Sequence, residues 1–483
     1  MTRSLAPLRH RGFRRLAAGQ FASNIGDACY AIALPWYVLA THGGALLLGT
    51  VLAAYGIPRT VALIFGGHAS DRWQPWTVMM TSDAVRVVAV AAMAAAAAAG
   101  PARAAILIPI AVVLGAGEGF FLPGSYSIIP TLLPDADLQA GNALSAAGSQ
   151  LAMLSGPALG GALVAILGPA PALGLDAATF AISALTLAGV RSAQRRPAPA
   201  APAGEQPPAL PATDAQASAA EPGAELAPMP ALAGTPEPSL TPSAATAAEP
   251  AAAAGPTLLS MLRSERILQI ILLVTVAANL GSGGTGEVAL PALAHGPLHA
   301  GAGGYGGMVA AFAGGALLGT LAAGWLRGVR RPAIVGSAAF IAEAVFLAAT
   351  PYLGGILADG AALAAFGFLN GIGNIVMITL FQRWAPPELL GRLMGMVMLA
   401  SFGIFPVSVV LGAVVVHDLG PAPFFPLAAA VTAVAILAGL TQRSWRDLGA
   451  TGEPAAATPA APATVPEVAA ATTTAATIRT TGS

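Results

Sequence analysis

The chain is 483 residues long, 56% hydrophobic and 9% charged, with a formal net charge of zero. An average soluble chain carries roughly 25% charged residues, so the composition excludes a water-soluble globular domain, and the absence of net positive charge argues against a nucleic-acid partner. A single cysteine, Cys29, excludes an intramolecular disulfide framework.

In chain order, Arg3, Arg9, Arg11, Arg14 and Arg15 precede an apolar run that ends near Ala40. The run is too long for a secretory signal and lacks a clear small-residue cleavage site, so it reads as an uncleaved first span. Apolar stretches of the length needed to cross the hydrocarbon core as a helix then recur, about twelve in all. Alternate loops carry arginine: Arg72; Arg191, Arg195 and Arg196; Arg263 and Arg266; Arg327, Arg330 and Arg331; Arg383 and Arg392; Arg443 and Arg446. The opposite loops carry none except Arg103. Because positive flanks are retained on the cytoplasmic side, both termini are expected there. Between Pro197 and Gly255 the sequence turns to Ala, Pro, Glu and Ser with no aromatic residue, a composition that cannot bury enough apolar surface to order itself. The expected organisation is an N-terminal six-helix bundle over 1–196, a disordered linker over 197–255, a C-terminal six-helix bundle over 256–448 and a disordered tail over 449–483. The fold class is all-α and polytopic. A weak echo between Gly115–Ala146 and Gly367–Met396 supports two repeated halves with a central site at their interface.

Ionisable residues inside spans are costly and are functional candidates by default. Gln20, Asn24 and Asp27 lie on one face of the first span, with Arg59 of the second span as the expected counter-charge and Tyr55 one turn before it. Asp27 either binds and releases a proton, or contacts a cationic substrate, or forms a permanent ion pair with Arg59 that locks two helices. Glu118 and Glu287 occupy apolar, glycine-rich surroundings that suit a proton carrier, and the segment around Glu287, GSGGTGEVALP, reads as a broken helix end. Asn370 and Asn374, one turn apart, and Met377 are candidates for a substrate cavity or for helix packing. His295 and His299 are four apart but flank Gly296-Pro297, so a solvated loop is expected rather than a metal site. No nucleotide-binding loop is possible without lysine, and no zinc or magnesium signature appears. Neither an enzyme nor a cofactor is expected.

The stretch GGHASDRWQPW, Gly66 to Trp76, followed by SDAVR, Ser82 to Arg86, resembles the loop signature of the major facilitator superfamily, Gly-x-Leu-Ala-Asp-Arg-x-Gly-Arg-Arg. Gly67, Asp71 and Arg72 match it, while Gln74, Pro75 and Trp76 stand where the family has Gly and two basic residues. The resemblance implies a cytoplasmic charge cluster of Asp71, Arg72, Asp83 and Arg86 that latches the outward-facing state and breaks when the halves rock, the alternative being interface charges that only fix topology. Gly156, Pro157, Gly160 and Gly161 resemble the family's antiporter signature, Gly-Pro-x-x-Gly-Gly, where small residues let helices touch and Pro157 bends one of them. In this fold the ninth span, with Glu343, tends to lie outside the cavity. Gly19 to Trp36 and Phe120 to Leu144 further resemble the bacterial twelve-span efflux group that includes macrolide and enterobactin exporters. The resemblance implies export of a small lipophilic compound by proton antiport and alternating access, from the inner membrane. The implied partners are a small-molecule substrate, the proton and the lipid bilayer, and a monomer is expected. A non-coupled facilitator or importer of the same fold would not need Asp27, Glu118 or Glu287 to titrate, and a membrane-embedded enzyme would need a constellation absent here.

Overall fold

A computed structural model describes residues 5–194, 262, 265–326, 329–386 and 389–450, with the backbone alone at Asp71 and over 191–194. The expected linker, Arg195, Arg196, Arg263, Arg327 and the tail beyond 450 lie outside the described residues. Those described form helices and contain no strand. The N-terminal half comprises α1 (Arg11–Ala40), α2 (Gly44–Trp73), α3 (Pro75–Ala99), α4 (Ala104–Ile128), α5 (Asp135–Leu167) and α6 (Pro169–Gln194). In the C-terminal half follow α7 (Arg266–His295), α8 (Gly301–Ala323), α9 (Pro332–Ala349), α10 (Ile356–Trp384), α11 (Leu390–Leu419) and α12 (Phe424–Thr441). Eleven of these are long and apolar enough to cross a membrane. The remaining one, α1, has 30 residues and packs beside α5 and α6, but Arg11, Arg14, Arg15 and the Gln20–Asn24–Asp27 stripe lower its hydropathy. Twelve helices of spanning length are therefore present among the described residues, eleven of them apolar enough to cross a membrane.

Neighbour relations repeat between the halves. Helix α1 packs on α5 and α6 as α7 packs on α11 and α12; α2 on α4 as α8 on α10; α3 on α4 and α6 as α9 on α10 and α12. Across the interface, α5 meets α8 and α2 meets α11, again an exchange of equivalents. One sequence trace of this repeat is Leu-Gly-Pro-Ala, at 167–170 after α5 and at 419–422 after α11. Both glycines, Gly168 and Gly420, have φ of 85° and close the last helical turn through N–H bonds to Val164 and Val416, a helix-stop geometry that glycine adopts without a Cβ clash. At the same offset, Ser408, Gly412 and Ala413 of α11 stand where α5 has Gly156, Gly160 and Gly161.

The apolar core shows how the halves meet. One buried cluster joins them, and it lies toward the end of the bundle away from the arginine-bearing loops: Tyr37, Leu48 and Val164 pack with Leu293, Tyr305 and Val416. The remaining clusters among the described residues each stay within one half. The halves are thus fused at one end and separate toward the arginine-rich end.

Helix α7 does not break at its glycines, as the sequence suggests, but widens into a π turn over Thr285–Ala289. Just before it, the Ser408 hydroxyl donates to the Leu280 carbonyl at 2.5 Å and accepts the Gly284 N–H at 2.7 Å. Those two groups are the i and i+4 partners of an ordinary helical bond, so a side chain of α11 is inserted into the ladder of α7. Such insertion is a recognised cause of local distortion. The approach is close enough that a Cβ on Gly412 would stand 2.8 Å from Gly284 Cα.

Candidate functional site

Inside its apolar helices the N-terminal half carries an arginine–carboxylate pair between α2 and α4 and another within α3. Arg59 on α2 binds Glu118 on α4 at 2.9 Å, and the Tyr55 hydroxyl, one turn before Arg59, donates to the other oxygen of the same carboxylate. The pairing needs α2 and α4 to run close together, and glycines on α4 permit it: a Cβ on Gly115 or Gly119 would collide with the backbone of Tyr55 or Arg59. The Arg59 guanidinium also lies 4.6 Å from the centre of the Phe402 ring on α11, and the Thr60 hydroxyl donates to the Phe402 carbonyl at 3.1 Å. This cluster therefore touches the opposite half.

The second pair, Asp83 and Arg86, lies two turns and more inside α3, because Pro75 starts that helix immediately after Gln74. Arg86 binds Asp83 at 2.6 Å, and the Ser183 hydroxyl of α6 donates to the second Asp83 oxygen at 2.7 Å. The guanidinium is held between the rings of Phe121 and Phe180, 4.2 and 4.1 Å from their centres, a stacked cation–π arrangement. Exposures of 0% for Asp83 and 2% for Arg86 correct the expectation of a charge cluster at the loop. The pair lies inside the half, with Arg86 Nε left without a hydrogen-bond partner among the described residues, whereas Arg72 is exposed at the end of α2. Gly67 has open space around it, and the side chain of Asp71 lies outside the description.

Asp27 lies within electrostatic reach of Arg86, Glu118, Asp83 and Arg59 but forms no ion pair among the described residues, since Arg59 is taken by Glu118 rather than by Asp27. Asn24, on the same stripe of α1, donates to the Ser149 hydroxyl of α5 at 3.0 Å. Glu287 sits in the π turn of α7, next to Gly286, whose carbonyl accepts from the Tyr305 hydroxyl at 3.5 Å. Asn370 and Asn374 on α10 line a cavity, whereas Met377 packs against Gly336 of α9 and does not line it. His295 packs edge-on against Trp36 at 5.1 Å, and no group of three metal-ligating side chains occurs among the described residues.

The Gly156–Gly161 segment serves two contacts. A Cβ on Gly156 would lie 2.3 Å from the Ala28 Cβ, and one on Gly160 would lie 2.8 Å from the Cys29 Cα, so both glycines seat α5 against α1. Gly161 instead faces α8, where a Cβ would lie 2.9 Å from the Gly306 Cα; one on Gly306 would in turn lie 2.4 Å from the Pro157 carbonyl. Small residues on both sides make this crossing between the halves possible. At the α2–α3 turn, Gln74 takes φ of 69° and ψ of 136°, a conformation natural to glycine and strained for other residues. It stands at the glycine position of the loop signature, so the turn keeps the shape and lacks the residue that fits it.

The profile of the Major Facilitator Superfamily matches residues 16–294. That span covers more than half of the chain. The chain belongs to the major facilitator superfamily. Among its relatives, the multidrug efflux pump Tap of Mycolicibacterium fortuitum is 32% identical over 185 residues, 37% of this chain and 44% of that protein. The MFS-type transporter YfiS of Bacillus subtilis, described as uncharacterized, is 25% identical over 178 residues, 37% of this chain and 42% of that protein. In each case the matched stretch spans less than half of the relative. Among solved structures, the nucleoside transporter NupG superposes with a TM-score of 0.60 at 13% identity, over 89% of this chain and 98% of that one. A bacterial homologue of the iron transporter ferroportin, solved in an inward-facing state, gives 0.56 at 14% identity over 89% and 96%. At such identities these two establish the major facilitator fold alone.

Three features of this major facilitator protein escape a reading of its sequence. Asp176 on α6 is 1% exposed, and a Cβ on Gly26 of α1 would lie 2.5 Å from its carboxylate. Asp359, in the first turn of α10, is buried, with neither carboxylate oxygen hydrogen-bonded among the described residues. Glu343, on the span expected to lie apart from any cavity, bonds to the cavity-lining Asn370. The available signal for Asp176 and Glu343 is an ionisable residue inside an apolar span, whereas Asp359, in the first turn of α10, also fits a helix start.

Proposed function

We propose that the protein is a proton-coupled exporter of small lipophilic compounds, working by alternating access as a monomer in the bacterial inner membrane. The observation that carries the proposal is Glu118 held between Arg59 and Tyr55, with Arg59 stacked on Phe402 of the other half. A carboxylate whose cation contacts the partner half is placed to feel any movement between the halves, and its gain or loss of a proton alters what Arg59 can hold. In the cycle proposed here, Asp27 lies alongside as a second proton acceptor, and Asn24 and Tyr55 belong to the same polar wall. The positive-inside rule puts the arginine-rich end in the cytoplasm, so the conformation is closed outward and separated inward. The partial match to a multidrug efflux pump supports export.

The test uses inside-out vesicles loaded with acid and challenged with a panel of macrolides, dyes and siderophores. Compound-dependent proton release is expected from the wild type and is expected to fall to the level of empty vesicles in Glu118→Gln and Asp27→Asn. Compound transport that persists equally in all three proteins with no proton movement would replace this reading with a facilitator of the same fold.

A further inference from the structure

The C-terminal half contains a polar chain that the N-terminal cluster does not use. Glu343 on α9 is 5% exposed; its Oε1 accepts a hydrogen bond from Asn370 Nδ2 at 3.4 Å, and its Oε2 has no partner among the described residues. Asn370 Oδ1 in turn accepts from Asn374 Nδ2 at 2.9 Å. Both amides donate toward the carboxylate, which fixes their direction: nitrogens inward and the Asn374 carbonyl oxygen outward. Asn374 is exposed and opens onto a cavity of about 200 Å³ lined also by Gln150, Met153, Phe312, Thr320 and Asn370. Gln150 and Met153 belong to α5 and the others to α8 and α10. The cavity is therefore shared by both halves, on the arginine-rich side of the Gly161–Gly306 crossing.

Every described arginine of this half sits at the arginine-rich end of its helices, so Glu343 has no cation of its own among the described residues. A buried carboxylate gains most from a counter-charge delivered to it, and the Asn370–Asn374 chain leads from it to the cavity. We propose that this cavity is a ligand site that takes the protonated amine of an amphipathic molecule. Asn374 presents its carbonyl oxygen to the ammonium, Glu343 supplies the negative charge behind it, and Met153 and Phe312 cover the apolar body. Gln150 and Thr320 offer further oxygen acceptors across the same space. The inference deepens the export reading by naming the charge of the cargo. Binding to the purified protein is read without flux, so failure of one leaves the other standing.

The experiment compares dansylcadaverine with its N-acetyl derivative, which share fluorophore and chain and differ in the charged amine. Fluorescence anisotropy at neutral pH follows their binding to the full-length protein in lipid nanodiscs. The wild type is expected to prefer the amine by about tenfold, the size expected for a hydrogen bond involving a charged group. Glu343→Gln and Asn374→Leu should remove that preference and leave binding of the acetylated probe unchanged, whereas Glu118→Gln should retain it. Three results would overturn the proposal: a preference that survives in Glu343→Gln, a preference lost only in Glu118→Gln, or equal weakening of both probes, which would make Glu343 a packing residue.

Discussion

The two halves share one helical plan and differ in how they compensate charge. Inside the N-terminal half, Arg59 and Arg86 each hold a carboxylate, Glu118 and Asp83, and the second pair is completed by Ser183 and two aromatic rings. Inside the C-terminal half, Glu287, Glu343 and Asp359 lie in helices whose arginines stay at one end. Polar groups there are met by helix geometry instead: a π turn at Glu287, a serine wedged into α7 and an amide chain at Glu343. Equivalent packing therefore does not require equivalent electrostatics. In the N-terminal half two carboxylates are held by internal arginines while Asp27 and Asp176 form no ion pair among the described residues, and in the C-terminal half none of these three acids forms one.

The largest effect that sharpens this contrast is expected in the N-terminal half. Arg86→Leu strands Asp83 in an apolar interior and should destabilise the protein by about 3–5 kcal/mol, whereas adding Asp83→Leu should recover most of that loss. Thermal unfolding in detergent measures both, and a double variant no better than the single one would mean that Arg86 acts by packing between Phe121 and Phe180 rather than by its charge.

A smaller loss is expected from Ser408→Ala in the C-terminal half, where the Gly284 N–H and the Leu280 carbonyl lose their partner. Leaving buried backbone groups unsatisfied costs about 1–3 kcal/mol, unless α7 closes the gap into a regular helical bond. Hydrogen exchange at Gly284 separates the two cases: faster exchange marks an orphaned amide, and unchanged exchange would show that the π turn does not depend on the serine.

The smallest effect should come from Asp359→Asn. With no partner to either oxygen among the described residues, the carboxylate has little to lose, and stability should stay level or rise by about 1 kcal/mol. A clear loss of stability would reveal a counter-charge for Asp359 and so weaken the contrast between the halves.

Much of the frame was legible from residue patterns. Apolar stretches of spanning length marked the helices, and alternating arginines marked which ends lie together. Gly156, Gly160 and Gly161 announced a close crossing, although only the packing shows that the first two face α1 while the third faces α8. Other features were misjudged for a definite reason. Asp83 and Arg86 looked like loop charges because SDAVR follows closely on the loop signature, yet Pro at a first helical position starts α3 at once. Asp359 does not stand out in the sequence at all: an acid in the first turn of a helix is favourable there, and nothing local in the sequence signals its burial.

The sequence by itself determined the helices of spanning length and the small-residue positions that allow contact, because length, hydropathy and side-chain volume act locally along a helix. Tertiary structure alone decided which charges meet. Helical periodicity places Asp27 and Arg59 on faces of their own helices, but the rotation of each helix and its choice of neighbour follow from packing over its whole length. Glycines on α4 bring that helix against α2 and give Arg59 to Glu118. Asp27 is left without an ion-pair partner among the described residues, in a field shared by Arg86, Glu118, Asp83 and Arg59.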